Sequence, residues 1–270
     1  MLASFLTYLR PLQVTQLDKH VGRWLNGLLF DLIREVDPVL SAKIHDEMDL
    51  KPFTVSTIRG NFRTINGKRC AVPEEIYRVR YTVLMDEVFQ VLGQVFLERY
   101  LERKAITIHN QPFELLRIGV APHERNSWVV TSSYEALYQQ RQSAGKITLQ
   151  FASPTGFKNS ELNIMFPRPV SVFGSLRRTW ETFAPIPLSE GLKDFVEQRV
   201  AVSRYDLSTR VISAGRYKLL GFVGQCTYRI LDKDSPLTSE LNMLADFALF
   251  SGVGMKKTQG MGQVRRIFED

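Results

Sequence analysis

Apolar positions along this chain switch between two periods, an alternation that suits strands and a three-or-four spacing that suits helices. In "ASFLTYLRP" (residues 3–11), Phe5, Thr7 and Leu9 alternate with Leu6 and Tyr8 until a proline stops the run, which predicts a strand. "RWLNGLLFDLIREV" puts Leu25, Leu28, Leu29, Leu32, Ile33 and Val36 at helical spacing, and "FTVSTI" is a short β-branched run. "EIYRVRYTVLM" alternates, "DEVFQVLGQVFLERYLERK" returns to the helical period, and "AITIH" with "FELLRIGV" closes the half as strand. From Lys146 the same order recurs: strand "KITLQFA", helix "SVFGSLRRTWETF", strands "RVAVSRYDL" and "RYKLLGFVGQCTYRIL", helix "SELNMLADFALF", strand "GQVRRIF". Two successive β-α-β-β-α-β runs predict an α+β chain of two tandem ferredoxin-like domains, the split βαβ unit. The predicted domains are residues 1–140 and 141–270, with "QQRQSAG" (139–145) as the joint.

A length of 270 residues with 44% hydrophobic content is enough to build a core in each half. Lysine and arginine number 35 against 28 aspartates and glutamates, so the chain carries +7 and favours a polyanionic partner. The cations cluster in "RGNFRTINGKR" (59–69), "RVR" (78–80), "RR" (177–178), "RYK" (216–218), "KK" (256–257) and "RR" (265–266). Cys70 and Cys226 stand far apart without neighbouring histidines, which indicates neither a disulfide framework nor a cysteine zinc site. The start "MLASFLTYLRPLQ" lacks a basic leader region and no segment reaches 18 apolar residues, so a soluble cytoplasmic protein with no membrane partner is expected.

The stretch "FSGVGMKKTQGMGQVRR" (250–266) joins four glycines and four cations without an acid. Five residues after Gly252 stands Lys257, where both the P-loop and the dinucleotide-binding fingerprint need a glycine, so neither pattern holds. The order is also reversed, because a helical stripe precedes the glycines and a short strand follows them. What remains is a helix ended by glycine and a loop whose N–H groups can turn outward as an anion-binding nest, with Lys256 and Lys257 outweighing the negative helix end. A plain glycine-rich connection with solvated lysines fits the same residues. "LGFVGQCTY" (220–228) loosely resembles the sheet motif with which RNA-recognition domains stack bases, although Leu220 and Cys226 depart from it.

No H-E-x-x-H, C-x-x-C or G-x-S-x-G occurs, and no metal site is indicated. Four histidines remain: His20 before the first helix, His109 in a predicted strand, His123 in a loop, and His45 in "SAKIHDEMDLKPFTVS". An imidazole titrates near 6.5 and can accept and donate a proton at neutral pH. RNA cleavage can use such a group, since the ribose 2′-OH is an internal nucleophile once deprotonated, and an ammonium such as Lys51 can stabilise charge developing on the phosphate. A histidine in a polar loop also serves as plain surface or capping structure.

Taken together, "IHD…LKPFTVS" after the first helix, "LQFASPTGF" followed by "FPRPVSVFGSLRRTW", "GFVGQ", and the terminal "FSGVGMKKTQGMGQVR" resemble the CRISPR-associated endoribonuclease family that processes precursor guide RNA, within the RAMP superfamily. The resemblance runs over nearly the whole chain. It implies a basic cleft between two ferredoxin-like domains that holds CRISPR repeat RNA, and cleavage without metal or cofactor to a 2′,3′-cyclic phosphate and a 5′-hydroxyl. His45 matches the catalytic histidine of the family and Lys51 a lysine that often accompanies it. Gly252, Gly254, Gly260 and Gly262 match the glycine-rich loop near the RNA, with Lys256, Lys257, Arg265 and Arg266 supplying charge for phosphates. Some relatives use a tyrosine on the first helix; Phe30 lies near that place here, which leaves His20 as a substitute. Effector-complex subunits are possible further partners, and the chain is expected to be a monomer or homodimer. A non-catalytic RNA-binding subunit of such a complex is the alternative.

Overall fold

The structure, a computed structural model, describes residues 1–17, 21–120, 128–214 and 217–268, with 212–219 as backbone alone. His20 and His123 lie outside the described residues. The chain divides into two compact units: one of 1–131, 213–217 and 258–260, the other of 132–212, 218–257 and 261–270.

The first unit begins with β1 (Leu2–Pro11) and β2 (Thr15–Gln16), then α1 (Val21–Val36), α2 (Pro38–Ala42) and a π-helical turn (Lys43–Glu47). β3 (Phe53–Val55), β4 (Arg63–Ile65), β5 (Lys68–Ala71) and β6 (Tyr77–Val83) follow, then α3 (Asp86–Leu101), β7 (Ile106–Ile108), β8 (Gln111–Gly119) and β9 (Val130–Ser132). The main sheet runs β3-β6-β1-β8-β7, with β9 against β1. Its four principal strands therefore stand in the order second, third, first, fourth, the ferredoxin-like arrangement. The apolar stripe read on the first helix turns inward, Leu25, Leu29, Leu32 and Ile33 all being buried. Phe5 joins the sheet to α3 by stacking on Tyr81 at 5.6 Å and meeting the edge of Phe96 at 5.9 Å.

The second unit contains α4 (Tyr134–Gln139), β10 (Lys146–Thr155), the hairpin β11 (Phe157–Asn159) and β12 (Leu162–Ile164), α5 (Pro169–Phe183) and α6 (Leu192–Arg199). It continues with β13 (Val200–Ala214), β14 (Tyr217–Ile230), α7 (Pro236–Ser251), a 3-10 turn (Lys257–Gln259) and β15 (Val264–Ile267). Its sheet order, β13-β14-β10-β15, repeats that of the first unit. Trp180 of α5 is fully buried and meets the rings of Tyr134 and Phe247, each at 5.2 Å. Edge-to-face pairs of this kind contribute about 0.5–1.5 kcal/mol each beyond area burial, and they tie α4 to α5 and α7.

Several elements differ from the sequence expectation. His109 is not in a strand: with Asn110 it forms the β7–β8 turn at φ 48° and 60°, and its ring stacks on Trp24 at 3.7 Å. α6 is an addition to the expected order, although Leu192, Phe195 and Val196 carry helical spacing and are buried in it. The "RGNFRTINGKR" cluster is a hairpin, β4–β5, whose Asn66 and Gly67 hold φ 51° and 72° as a two-residue turn demands.

Candidate functional site

His45 sits where the chain reverses between α1 and β3. Asp37 starts α2 by accepting a hydrogen bond from the Leu40 N–H at 2.8 Å, with Pro38 in the first helical position, where its missing N–H costs nothing. The helix then widens into the π turn, a local irregularity that often marks functional positions. Ile44 anchors the turn in the core with no exposed surface, while the next side chain, His45, is 70% exposed. The ring of Phe30 presents its edge to the imidazole at 5.4 Å and is itself braced by Phe53. Phe30 thus occupies the place beside the histidine that the family resemblance assigned to a tyrosine, and it has no proton to exchange.

Asp46 Oδ1 lies 2.6 Å from His45 Nδ1. With Nδ1 bound to that carboxylate, Nε2 is the nitrogen left to accept a proton, and it has no hydrogen-bond partner among the described residues. Lys51 faces the other way. Its Nζ donates to the carbonyls of Ile44 at 2.8 Å, His45 at 3.0 Å and Met48 at 2.5 Å. An ammonium has three N–H groups, so all of them are spent on closing the carbonyl end of the turn. Sequence reasoning placed Lys51 on the substrate phosphate; the structure makes it a clamp on the His45 backbone.

The glycine-rich loop also differs from its expectation. Gly252 ends α7 by donating to the Ala248 carbonyl at 3.0 Å. The N–H groups of Val253, Met255 and Gly262 then donate to the carbonyls of Gly262, Gly156 and Pro154 at 2.9–3.0 Å, and that of Gly254 to Ser175 Oγ at 3.0 Å. These amides are consumed inside the protein and do not turn outward to an anion. Glycine is needed instead for close approach: a Cβ on Gly254 would lie 2.4 Å from the Gly156 carbonyl oxygen, and one on Gly260 would lie 2.4 Å from Thr57 Cγ2.

The four cations assigned to this loop separate. Lys256 is exposed. Lys257 folds back so that Nζ donates to Thr179 Oγ1 at 3.0 Å, and desolvation, with the Arg178 guanidinium adding repulsion, pushes its pKa down to about 8. Its stem keeps partial exposure while the ammonium is dry. Arg265 and Arg266 are neighbours on a strand and so face opposite sides of the sheet. Arg265 donates to Gln150 at 2.8 Å, while Arg266, 8% exposed, pairs with Asp246 and donates to Asn242 Oδ1 at 2.6 Å. Arg266 was expected to meet phosphate, yet its charge is neutralised in place.

Beside the loop, a cavity of about 460 Å³ is bordered by Gly254, Met255, Ser175, Lys158, Arg168 and Arg178. Three cations and no carboxylate line it. The sequence flags the Arg177–Arg178 pair, and the helix splits it: Arg177 pairs with Glu181 one turn on, whereas Arg178 turns into the cavity. Lys158 and Arg168 escape a sequence reading, being single charges whose convergence depends on the β11–β12 hairpin. The base-stacking platform suggested by "LGFVGQCTY" is absent, because Phe222 and Tyr228 are buried against Phe151 and Phe173. Cys70 and Cys226 are both free and buried. Among the described residues no group of three or more His, Cys, Asp or Glu is placed to hold a metal ion, and no helix is long and apolar enough to cross a membrane.

Two ferredoxin-like units in tandem, with a glycine-rich loop after the last helix, are the architecture of a RAMP-like fold. Within it, this chain belongs to the Cas6 family: the model of the Cas6 N-terminal domain matches residues 1–139, and that of the CRISPR-associated endoribonuclease Cas6 matches residues 149–264. The Cas6 of Mycobacterium tuberculosis (strain CDC 1551 / Oshkosh) is 29% identical over 138 residues, which span 50% of this chain and 43% of that protein. The Streptococcus thermophilus Cas6 is 24% identical over 131 residues, 48% of this chain and 54% of its own. The matches therefore take in about half the length of these curated relatives. A solved Cas6 product complex superimposes with a TM-score of 0.84 at 26% identity, covering 99% of both chains.

Proposed function

We propose that this protein is a cytoplasmic endoribonuclease that cuts CRISPR repeat RNA by attack of a ribose 2′-OH on its own phosphodiester, without a metal. The observation that carries the reading is the exposed His45 imidazole, with Asp46 on Nδ1 and Nε2 open, on a turn clamped by Lys51. His45 Nε2 takes the 2′-OH proton, the oxygen attacks the adjacent phosphorus, and the 5′-oxygen leaves with a proton, giving a 2′,3′-cyclic phosphate and a 5′-hydroxyl. Either transfer can pass through the imidazole, and such proton transfer contributes about 10² to 10⁴ in rate. Lys51 acts by positioning.

The glycine-rich loop, with Gly252, Gly254, Gly260 and Gly262, gives the RNA a rigid edge, and the cavity beside it offers Lys158, Arg168 and Arg178 to phosphates. A phosphate there would also relieve Lys257, whose dry ammonium is repelled by Arg178. Lys256 and Arg265 add charge. Of the expected domains, 1–140 would hold the proton-transfer group and 141–270 the phosphate contacts, with α4 (Tyr134–Gln139) going to the second unit.

A second reading, a non-catalytic RNA-binding subunit of an effector complex, is favoured by one feature: among the described residues, Phe30 and the inward-turned Lys51 leave His45 without a proton-exchanging neighbour besides Asp46. Incubation of the purified chain with repeat RNA from an adjacent CRISPR array in EDTA separates the two. Cutting that survives EDTA supports the nuclease, and binding without cutting, with or without added metal, selects the subunit.

A further inference from the structure

The connection from β12 to α5 reads Met165-Phe166-Pro167-Arg168-Pro169, and each proline restricts the residue before it, Phe166 or Arg168, to extended backbone. Arg168 accordingly holds φ −60° and ψ 139°, and Pro169 opens α5. Three successive carbonyls of this segment are engaged. That of Phe166 accepts from the Arg168 N–H at 2.9 Å, that of Pro167 from the buried Tyr228 hydroxyl at 3.0 Å, and that of Arg168 from the Ser171 and Val172 N–H groups at 3.0 Å. The segment is therefore held from both sides of Phe166, and its conformation is set before any ligand arrives.

This fixed backbone nevertheless leaves a phenyl ring in solvent. Phe166 is 38% exposed and stands perpendicular to Tyr205 of β13, which is 60% exposed, with ring centroids 5.5 Å apart. Met165 and Val170, flanking the segment, are exposed as well. Apolar side chains exposed singly are ordinary, whereas neighbours exposed together mark an interaction surface. The patch borders charge of one sign: Ile164, Arg168 and Val170 line the cavity that holds Lys158 and Arg178 and no carboxylate. Arg168 reaches only Ser171 Oγ, at 3.5 Å, and among the described residues neither Arg168 nor Arg178 forms an ion pair. Asp206 follows Tyr205 on β13 and so alternates to the other face of the strand.

From these observations we infer that Phe166 and Tyr205 form a stacking corner for an unpaired base of the bound RNA, with the adjoining phosphate on Arg168 at the cavity edge. The inference rests on the RNA-binding part of the reading above and deepens it, because the site takes a single-stranded stretch. A base inside a duplex has both faces covered by its neighbours, and only an unstacked base has a face to offer. A base laid on one ring of the perpendicular pair meets the other edge-on, and every base has such a face. Aromatic rings beside a cationic groove are the means by which proteins hold single strands, and a backbone already fixed loses little freedom on binding. The sheet face that the sequence suggested for stacking is buried, and the exposed rings lie at its rim instead.

The test uses the full chain with fluorescein-labelled oligo(A), with a blunt RNA duplex of the same length and with repeat RNA, and reads affinity against salt. F166A/Y205A should bind oligo(A) about 5- to 150-fold more weakly than wild type, the range expected for loss of one stacked base. Stacking releases no counterion, so the slope of log K against log[salt] should stay at the wild-type value, whereas R168Q should lower it by about 0.7. Affinity for the blunt duplex should be the same in F166A/Y205A and wild type. Y205W, which keeps a ring, should bind oligo(A) as wild type does, and so should Y100A, which removes an equally exposed ring from α3. Unchanged oligo(A) affinity in F166A/Y205A, an equal loss on the duplex, or an equal loss in Y100A overturns the stacking corner while leaving the nuclease reading in place. Failure of the wild type to bind oligo(A) and repeat RNA overturns both.

Discussion

Lys51 and Lys257 are the same residue type, each beside a feature that sequence reasoning assigned to phosphate, and the fold treats them in opposite ways. Lys51 finds three carbonyl oxygens at the end of a helical turn, an arrangement in which its charge is welcome. Lys257 finds one hydroxyl and a neighbouring guanidinium in a dry setting, where its charge is a cost. The first lysine has nothing to gain by leaving its turn for an RNA phosphate. The second has much to gain from an anion. A cation's availability to a ligand is set by what already satisfies it, and position in a motif says little about that.

His45→Ala breaks the first region at its chemistry, and the expected loss of cutting, about 10² to 10⁴-fold, is the largest effect. RNA affinity should hold, and a filter-binding measurement checks it. Lys51→Met keeps the stem but removes three bonds from a charged donor, which should cost about 1.5–3 kcal/mol in urea unfolding and slow cutting through a displaced imidazole. If Lys51→Met slowed cutting with no change in stability, the lysine would be acting on the substrate and the contrast with Lys257 would weaken.

Lys257 gives the opposite sign. Its ordinary value of 10.5 in the unfolded chain falls to about 8 on folding, so below pH 8 it is charged in both states and the full desolvation cost is present. Between about pH 8 and 10.5 the folded protein sheds the proton first, and the cost fades as pH rises. Lys257→Met should therefore stabilise the protein at pH 7 by about 1–3 kcal/mol, an advantage that shrinks toward pH 10 in thermal melts. RNA binding at pH 8.5 should take up a fraction of a proton in the wild type and none in that variant, as calorimetry in two buffers will read. The smallest effect belongs to Phe30→Tyr, which places a hydroxyl near the imidazole and should raise the cutting rate by no more than about tenfold.

The alternating and helical periods made both ferredoxin-like runs legible, because each rests on one buried face, as the stripe from Leu25 to Ile33 shows. The elements added to those runs were less legible. The Asn66-Gly67 turn was a readable hairpin signal that the surrounding charges obscured, and α6 carries only three core residues. At the candidate site the positions of His45, Phe30 and the glycines could be named from motif order. The partners could not: Lys51 meets carbonyls, which no side-chain pattern encodes, and Arg266 meets Asp246 across 20 residues of chain. The cations of the cavity come from β11, the start of α5 and its middle, so their convergence is a property of tertiary packing.

The central claim is that an imidazole on the Lys51-clamped turn removes a proton from a ribose hydroxyl that then attacks its own phosphate. It is tested most directly by replacing the nucleotide 5′ to the cut in repeat RNA with its 2′-deoxy form and comparing cutting in EDTA. The account predicts that the deoxy substrate binds as well as the all-ribose RNA and is not cut, while the ribose RNA yields a 2′,3′-cyclic phosphate. Cutting of the deoxy substrate at the wild-type rate would contradict it.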